Sequence, residues 1–579
     1  MTMMARATNE AVANFLERYA RLLEIAGENP FRVRAYQRAA EAIRHHPEPV
    51  SAFASADKLQ QIEGIGEGIA SIITEFLTTG SVQALTELER RVPPTLLEVT
   101  AVPGVGPKTA ARLFKELGIV DLAGLEAAVA EGRLRTLPGM SAKTEAKIAA
   151  GIEALRRLTG RHRLGTVLPL GRQFLADLAH MLPEGAQLSL AGSVRRMLET
   201  VGDLDVVIGT TDPEQTTSVI ERHPWVSQVR QRSPRSVSLQ LTPGLRADLL
   251  FAAPEEFGTV LIKATGSEAH VRLLGPLPVC PNEADVYARL GLPWIPPELR
   301  QGLDELDLAR SGRLASLITI ADILGEFHAH TEWSDGALTV LEMAQAAKEH
   351  GYRFIGISDH TKSLGIARGL DVERLRAQRH EIVQANAQTG IRVFAGAEVE
   401  VSRDGRLDFA DAVLAELDVA IASLHVGLTQ PKDELTARLI RVLENPHVDI
   451  IAHPSGRLIE QREGGDFDWD RVFETAARTG TALEINADPA RLDLDAAHAR
   501  QALAAGCLLT INCDAHHPDG WSMLEYGVAV ARRAGATPDR VLNCWPVEEI
   551  EAWLRRRGAN MSIPPASSSF SPPSGGFVG

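Results

Sequence analysis

The sequence predicts a multidomain chain, α+β in its first half and α/β in its second. A helical, hairpin-bearing N-terminal region is followed by a central sheet with an appended α/β segment, and then by a β/α barrel. Three observations point there. Gly-hydrophobic-Gly turns recur about 40 residues apart, at Gly64, Gly104 and Gly139. An Asp-x-Asp pair, Asp203 and Asp205, lies inside a run of strand formers. From Gly325 onward, short apolar runs end in His, Glu or Asp and alternate with helix-like stretches.

In chain order, Asn9–Ile25 and Pro30–His46 read as amphipathic helices, the second carrying Arg32, Arg34, Arg38 and Arg44. Ile62-Glu63-Gly64-Ile65-Gly66 then runs toward a helix expected at Ser71–Thr78. The second copy, Val102-Pro103-Gly104-Val105-Gly106-Pro107-Lys108, is better formed, and Leu137-Pro138-Gly139-Met140-Ser141 is a weaker third. Glycines allow a tight turn, and the helix start that follows adds a partial positive charge, so each copy can seat a phosphate. This is the helix-hairpin-helix pattern, which grips a sugar-phosphate backbone without reading its sequence. DNA contacts are expected at Gly64, Gly66, Gly104, Gly106 and Lys108, with Arg112 completing the second seat.

The middle of the chain offers Gly192-Ser193-Val194-Arg195-Arg196, then Gly202-Asp203-Leu204-Asp205. Strand alternation puts both aspartates on one face. Two carboxylates so close repel unless cations sit between them. Asp248, opening another apolar strand, would complete the cluster. Three carboxylates holding two Mg2+ or Mn2+ suit attack of a 3′-hydroxyl on a nucleotide phosphate. Gly192 and Ser193 with Arg195 and Arg196 would cradle the triphosphate. The region therefore reads as a nucleotidyltransferase palm with Asp203, Asp205 and Asp248 catalytic.

In the last third, His328-Ala329-His330 places two imidazoles on one strand face, with Asp335 a few residues on. Further apolar runs end at His360, Glu398, His425, His453, Asp514 and His516. Parallel strands closing into a ring present functional residues at their carboxyl ends. Helix-like stretches at Val340–His350 and Val372–Thr389 fit a β/α barrel. Mixed His/carboxylate ligation without thiolates suits Zn2+, Mn2+ or Fe2+. Cys513 is expected in the core, pointing away from the metals.

Bulk properties set limits. At 579 residues the chain should hold several domains. Four cysteines without paired spacing fit a reducing cytoplasm. No apolar run is long enough to span a bilayer, so no membrane partner is expected. A net charge of −15 taken alone argues against nucleic acid, but acids at metal sites inflate it.

Taken together, the hairpins, the acid trio and the barrel motifs resemble a bacterial family X DNA polymerase with a C-terminal PHP (polymerase and histidinol phosphatase) domain. The resemblance implies a distorted seven-stranded (β/α)7 barrel holding three metals. Matched residue by residue, His328, His330, Glu398 and Asp514 would hold the first. Glu398 would bridge to a second bound by His425 and His453, and Asp335, His360 and His516 would hold the third. It also implies gap-filling synthesis in the palm and a Mn2+-dependent 3′→5′ exonuclease in the barrel, with abasic-site endonuclease in some members. Nucleotide contacts would fall at Gly192, Ser193, Arg196, Gly202 and Gly266.

The departures are specific. Glu326-Phe327-His328 stands where the family has Asp-Leu-His. Ile72, with Gly68 one turn earlier, occupies the position of the family's Schiff-base lysine, so lyase activity is not expected. Lys263-Ala264-Thr265-Gly266-Ser267 replaces Tyr-Phe-Thr-Gly-Ser, and the stretch around Gly275–Val279 is shortened. A cut thumb implies weak synthesis. The expected domains are an N-terminal DNA-end-binding region (1–85), fingers with the second hairpin (86–160), palm (161–252), shortened α/β thumb (253–315), PHP barrel (316–561) and a disordered Pro/Ser/Gly tail (562–579). The expectation is a cytoplasmic, monomeric DNA (base excision) repair enzyme acting on gapped duplex, primer 3′ ends and deoxynucleoside triphosphates. Its rivals are a polymerase-inactive DNA platform carrying only the nuclease, and a small-molecule phosphoesterase.

Overall fold

The computed structural model of the protein describes residues 9–44, 50–55 and 58–555, apart from positions 63, 81, 103, 159, 184 and 243. The expected disordered tail and the last two residues of the second helix, His45 and His46, lie outside the described residues. The chain divides into two compact units, Met1–Thr159 and Gly160–Gly579. No described helix is long and apolar enough to cross a membrane.

The first unit is helical. α1 (Asn9–Ile25) packs on α2 (Pro30–Arg44), where Val33, Tyr36, Ala39, Ala40 and Ile43 recur at helical spacing and are buried. Tyr19 and Tyr36 meet edge to face at 4.9 Å between ring centroids. In both glycine turns the apolar residues tuck inward: Ile62, Ile65, Val102 and Val105 are buried. The helix after the first turn, α3 (Glu67–Thr79), starts four residues earlier than expected, because Gly66 of the turn is itself the N-cap. α4 (Pro107–Leu117) follows the second turn in the same way from Gly106, and α5 (Ala142–Leu158) follows the third.

The second unit begins with a five-stranded sheet. Its strands are β1 (Gln187–Leu190), β2 (Leu204–Gly209), β3 (Val226–Ser233), β4 (Ser236–Leu241) and β5 (Arg246–Ala252), in the order β1-β2-β5-β4-β3. β2 and β5 run parallel at the centre, and their register sets Asp205 directly opposite Asp248. Residues 253–315 differ from the expected α/β segment: among the described residues they form short helices and 3-10 turns without a strand. The connection where a hairpin would fit, Gly275-Pro276-Leu277-Pro278-Val279, is short and carries two residues that lack a ladder N–H.

The barrel follows: β6 (Gly325–Ala329), β7 (Phe354–Ile357), β8 (Arg392–Glu400), β9 (Val419–Ser423), β10 (Ile450–Ile451), β11 (Ala482–Asn486) and β12 (Leu509–Asn512). Consecutive strands pair in parallel from β6 to β12. The bridge from Ala329 to Ala515, with the His330 amide donating to the Ala515 carbonyl at 2.9 Å, nearly closes the ring. A helix intervenes at each connection, among them Val340–Glu349 and Val372–Thr389. Six of these strands are wholly buried and β8 is so but for its first residue, as expected for parallel strands covered on both faces.

Central sheet and barrel are not separate globules. Buried apolar side chains from both, from Leu164 and Phe174 through Leu249 to Ile485 and Ile511, form one continuous core. Charged pairs surround this junction: Arg172 grips Glu525 with two hydrogen bonds of 2.8 and 2.7 Å, and Arg500 grips Asp304 at 2.9 and 2.8 Å. Gly165 lies so close to Pro489 that a Cβ there would stand 2.5 Å from the proline ring.

Candidate metal centres

At the carboxyl ends of the barrel strands, three groups of side chains come together: His328, His330 and Asp514; Glu398, His425 and His453; and His330, Asp335, His360 and His516. The nine residues singled out in the sequence are all among them, and His330 belongs to two groups. Glu398 is at the centre. Its Oε2 lies 2.6 Å from His360 Nδ1, 3.5 Å from His328 Nε2 and 3.8 Å from His330 Nε2. Its Oε1 lies 3.1 Å from His453 Nε2 and 3.6 Å from His425 Nε2. On the first group's side, Asp514 Oδ1 is 2.9 Å from His330 and 3.5 Å from His328. In the third group Asp335 stands 3.3 Å from His516 and 3.6 Å from His360.

Several of these atoms are buried without any hydrogen-bond partner, including His328 Nε2, His330 Nδ1 and Glu398 Oε2. Buried polar atoms are ordinarily satisfied. Orphaned nitrogens and oxygens facing one another across less than 4 Å are the donor set a divalent cation satisfies, and no thiolate intrudes. Cys513, buried, has its thiol pushed well up by burial and then by Glu326, which marks it as a core residue. Charge is balanced within the group. Burial opposes ionisation of Glu398, yet His360, His328 and His425 hold its carboxyl well below the ordinary range. Two residues of these groups, His453 and Asp514, have positive φ (28° and 56°), a conformation that the surrounding packing must enforce.

Two buried carboxylates that sequence reasoning missed stand behind the imidazoles. Glu484 accepts from His328 Nδ1 at 2.8 Å, from Asn512 Nδ2 at 2.9 Å and from the His453 amide at 2.7 Å. Glu400 takes His425 Nδ1 at 2.6 Å. Each pairing leaves the opposite ring nitrogen, Nε2, facing Glu398. A signal existed: Glu484 is a lone acid inside the apolar strand β11, and Glu400 shares a strand face with Glu398.

In the central sheet, Asp203, Asp205 and Asp248 gather at one end. Burial first, and then Asp203 and Asp248, push the Asp205 carboxyl up to about 7. Arg246 reaches into the trio, bonded to Asp203 and 3.4 Å from Asp248, and Ser238 donates to Asp248. Gly192 has φ 59°, and a Cβ there would stand 1.7 Å from Asp205 Oδ2, so only glycine fits. Arg196 donates to the Thr265 carbonyl at 2.5 Å, next to Gly266, and its Nε is buried without a partner. Ser193 is half-buried in the short helix that begins at Gly192, and Gly202 has only Arg161 nearby, 3.6 Å from a built Cβ. Arg195 departs from the phosphate role expected of it: its guanidinium is held by Glu283 at 2.7 and 2.9 Å and by Thr265.

Of the hairpin residues, Gly64, Gly66, Gly104, Gly106 and Lys108 are all exposed. Gly64 and Gly104 take φ of 85° and 91°, which a tight turn demands. Arg112, expected at the second seat, is instead tied to the Pro138 carbonyl at 2.9 Å and to Glu116.

Family models match the hairpin regions and the barrel. Residues 7–82 match the helix-hairpin-helix domain, 96–154 the SAM-like helix-hairpin-helix tandem and 326–487 the PHP domain. Along nearly its whole length the chain is similar to the DNA polymerase/3′-5′ exonuclease PolX of Bacillus subtilis (strain 168): 36% identical over 572 residues, covering 94% of this chain and 99% of that protein. Its C-terminal part is also similar to a probable phosphatase of Thermoanaerobacter sp. (strain X514), 29% identical over 242 residues, covering 40% of this chain and 94% of the relative. A probable phosphatase of Shewanella loihica is likewise 29% identical over 245 residues, covering 41% and 94%.

Proposed function

The chain belongs to the PolX family of DNA polymerase/3′-5′ exonucleases, and we infer that its two acid-rich regions divide those two reactions. Nucleotidyl transfer falls to the palm (161–252), and trimming of 3′ ends falls to the PHP barrel (316–561). The observation that carries this is the convergence of five imidazoles on the two oxygens of Glu398.

Divalent cations bound at these acids polarise a phosphodiester and lower the pKa of a water. His328, His330, Glu398 and Asp514 would hold one in the barrel, with Glu398 shared by a second on His425 and His453. Asp335, His360 and His516 would hold a third. Zn2+, Mn2+ and Fe2+ suit that donor set, and Mg2+ or Mn2+ suits the three palm carboxylates. Glu484 and Glu400 do the orienting: each takes an Nδ1 proton and thereby aims an Nε2 lone pair inward.

In the palm, Asp205 and Asp248 oppose each other on adjacent strands, with Asp203 beside them. Gly192 allows the backbone to approach this trio. Ser193, Gly202, Arg196 and Gly266 are proposed to line the bound deoxynucleoside triphosphate, with the Arg196 guanidinium near its phosphates. The hairpin glycines and Lys108 in 1–85 and 86–160 would seat DNA backbone, and the short thumb (253–315) would close weakly on the nascent pair. The substrates are then gapped duplex and primer 3′ ends.

The test is one gapped duplex supplied to the parent protein in turn with Mg2+, Mn2+ and Zn2+, following extension and trimming together. Trimming without any extension would leave a DNA platform carrying a nuclease. Equal turnover of a sugar monophosphate and a recessed 3′ end would point to a small-molecule phosphoesterase. Likeness to PolX across 94% of the chain favours neither.

A further inference from the structure

Between palm and barrel, one ionic contact differs from the others in what lies behind it. Glu199, on the palm segment between Arg196 and Asp203, places Oε2 3.1 Å from Nη1 of Arg457 in the barrel. Both side chains are largely buried, 24% and 16% exposed. Arg457 follows His453 by four residues on the loop leaving β10. Its guanidinium spans to the next loop, donating from Nε to the Arg491 carbonyl at 2.8 Å and from Nη2 to the Leu492 carbonyl. A second acid, Asp495, stands 3.5 Å from Nη1.

The loop that Arg457 grips carries Asp493, which is fully buried. Its two oxygens accept from the amides of Ser455 at 3.1 Å and Gly456 at 2.8 Å. The Gly456 amide also reaches the His453 carbonyl at 2.9 Å. His453 itself sits at φ 28°, a conformation that holds only if its surroundings enforce it. An unbroken series of contacts therefore runs from a palm carboxylate, through one guanidinium and one buried aspartate, to the backbone that aims an imidazole at Glu398.

We propose that Glu199 is a positioning residue for the barrel: through Arg457 it fixes the loop pair that holds His453 in its ligating orientation. The inference rests on His453 being a metal ligand. Arg457 is desolvated at this junction, and Glu199 is the nearest of the acids that offset its charge, with Asp495 and Asp493 behind it. Without Glu199, a buried guanidinium loses its nearest acid and the loops it bridges lose their tie to the palm. The same palm segment ends in Asp203 and Asp205, so the two reaction centres share a structural neighbour. Arg172–Glu525 also ties palm to barrel but is more exposed, 55% and 29%, and neither partner touches a strand-end ligand.

The experiment titrates the metal-stripped full chain with Mn2+, following free Mn2+ by electron paramagnetic resonance, and measures 3′-end trimming against Mn2+ concentration separately. Glu199→Gln and Arg457→Lys should each weaken Mn2+ binding about tenfold, with trimming restored at saturating Mn2+. Glu199→Asp should recover most of the loss. The double variant Glu199→Gln/Arg457→Lys should be no worse than the poorer single one, and Glu525→Gln should bind Mn2+ as the parent does. Parental Mn2+ binding by Glu199→Gln, additive effects in the double variant, or an equal shift in Glu525→Gln would each overturn the proposal. His453→Ala separates the premise from the inference. If it retains every bound Mn2+, the ligand assignment fails; if it loses one while Glu199→Gln loses nothing, only the coupling fails. Thermal melts of each variant exclude global unfolding as the cause, and Glu199→Asp and Glu199→Gln serve if Arg457→Lys does not fold.

Discussion

The barrel rim and the palm sheet gather acids in different company. Glu398 is surrounded by five imidazoles, and Glu484 and Glu400 sit behind two of those rings. Asp205 faces two more carboxylates, and the cations near the trio are Arg246, bonded to Asp203, and Arg196. The rim therefore supplies its own countercharge and holds its shape from within. In the palm trio the like charges are only partly offset by Arg246 and Arg196, and the Asp205 carboxyl is pushed up to about 7. A scaffold that fixes imidazoles through buried carboxylates tolerates little change behind those rings, whereas a half-buried trio of acids tolerates little change between its members.

The comparison breaks outright if the two regions are not independent. His330→Ala or Asp514→Ala should abolish trimming and leave extension, while Asp203→Ala with Asp205→Ala should do the reverse on the same gapped duplex. If the palm double variant lost trimming as completely as the barrel variants, two separate centres would be untenable. Gly192→Ala sharpens the palm side. Its new methyl must displace Asp205, so extension should fall on the order of 100-fold, the usual cost of moving a reacting group by an ångström. Trimming by the same variant should be unchanged.

On the barrel side, Glu484→Gln keeps the size of the side chain but removes the charge that faces His328 Nδ1. The Mn2+ concentration needed for half-maximal trimming should rise roughly 10- to 100-fold, and an unmoved midpoint would deny Glu484 its orienting role. The smallest effect concerns stability. Burial opposes the charge on Glu283, but Arg195 and Arg300 pull its pKa down to about 2 from an ordinary 4.5. A folded-state value below the unfolded one stabilises above pH 4.5, and that contribution, about 3 kcal/mol at most, fades as pH falls from 4.5 toward 2. The melting temperature of Glu283→Gln should therefore trail the parent's at pH 7 and approach it near pH 3. A constant gap would place the stabilisation elsewhere.

Much of this was legible in the sequence, for physical reasons that also explain what was not. A polar residue at a strand end sits where periodicity breaks off, so His328, Glu398 and Asp514 stand out against the apolar runs before them. Asp205 and Asp248 could be paired from strand pattern, but their exact opposition is a matter of register and appeared only in the fold. Glu484 was overlooked because an acid within a strand advertises no partner until His328 is seen beside it. Arg195 and Arg112 looked like phosphate ligands by position. Their engagement with Glu283 and the Pro138 carbonyl depends on contacts 88 and 26 residues away along the chain. The segment 253–315 was expected to be a shortened α/β thumb, and its described residues hold short helices and 3-10 turns without a strand, because the cut connection Gly275–Val279 carries two prolines that cannot donate to a ladder.

The single core beneath palm and barrel has a kinetic corollary. If synthesis belongs to the palm and excision to the barrel, as proposed, neither mouth can swing toward the other without tearing apart packed leucines and phenylalanines, and shuttling between them would be a task for the nucleic acid. On that assignment a mispaired terminus would have to peel away, travel and reseat, and the lifetime of that detour, set by how tightly the DNA is held elsewhere, would govern how often an error is erased before it is extended.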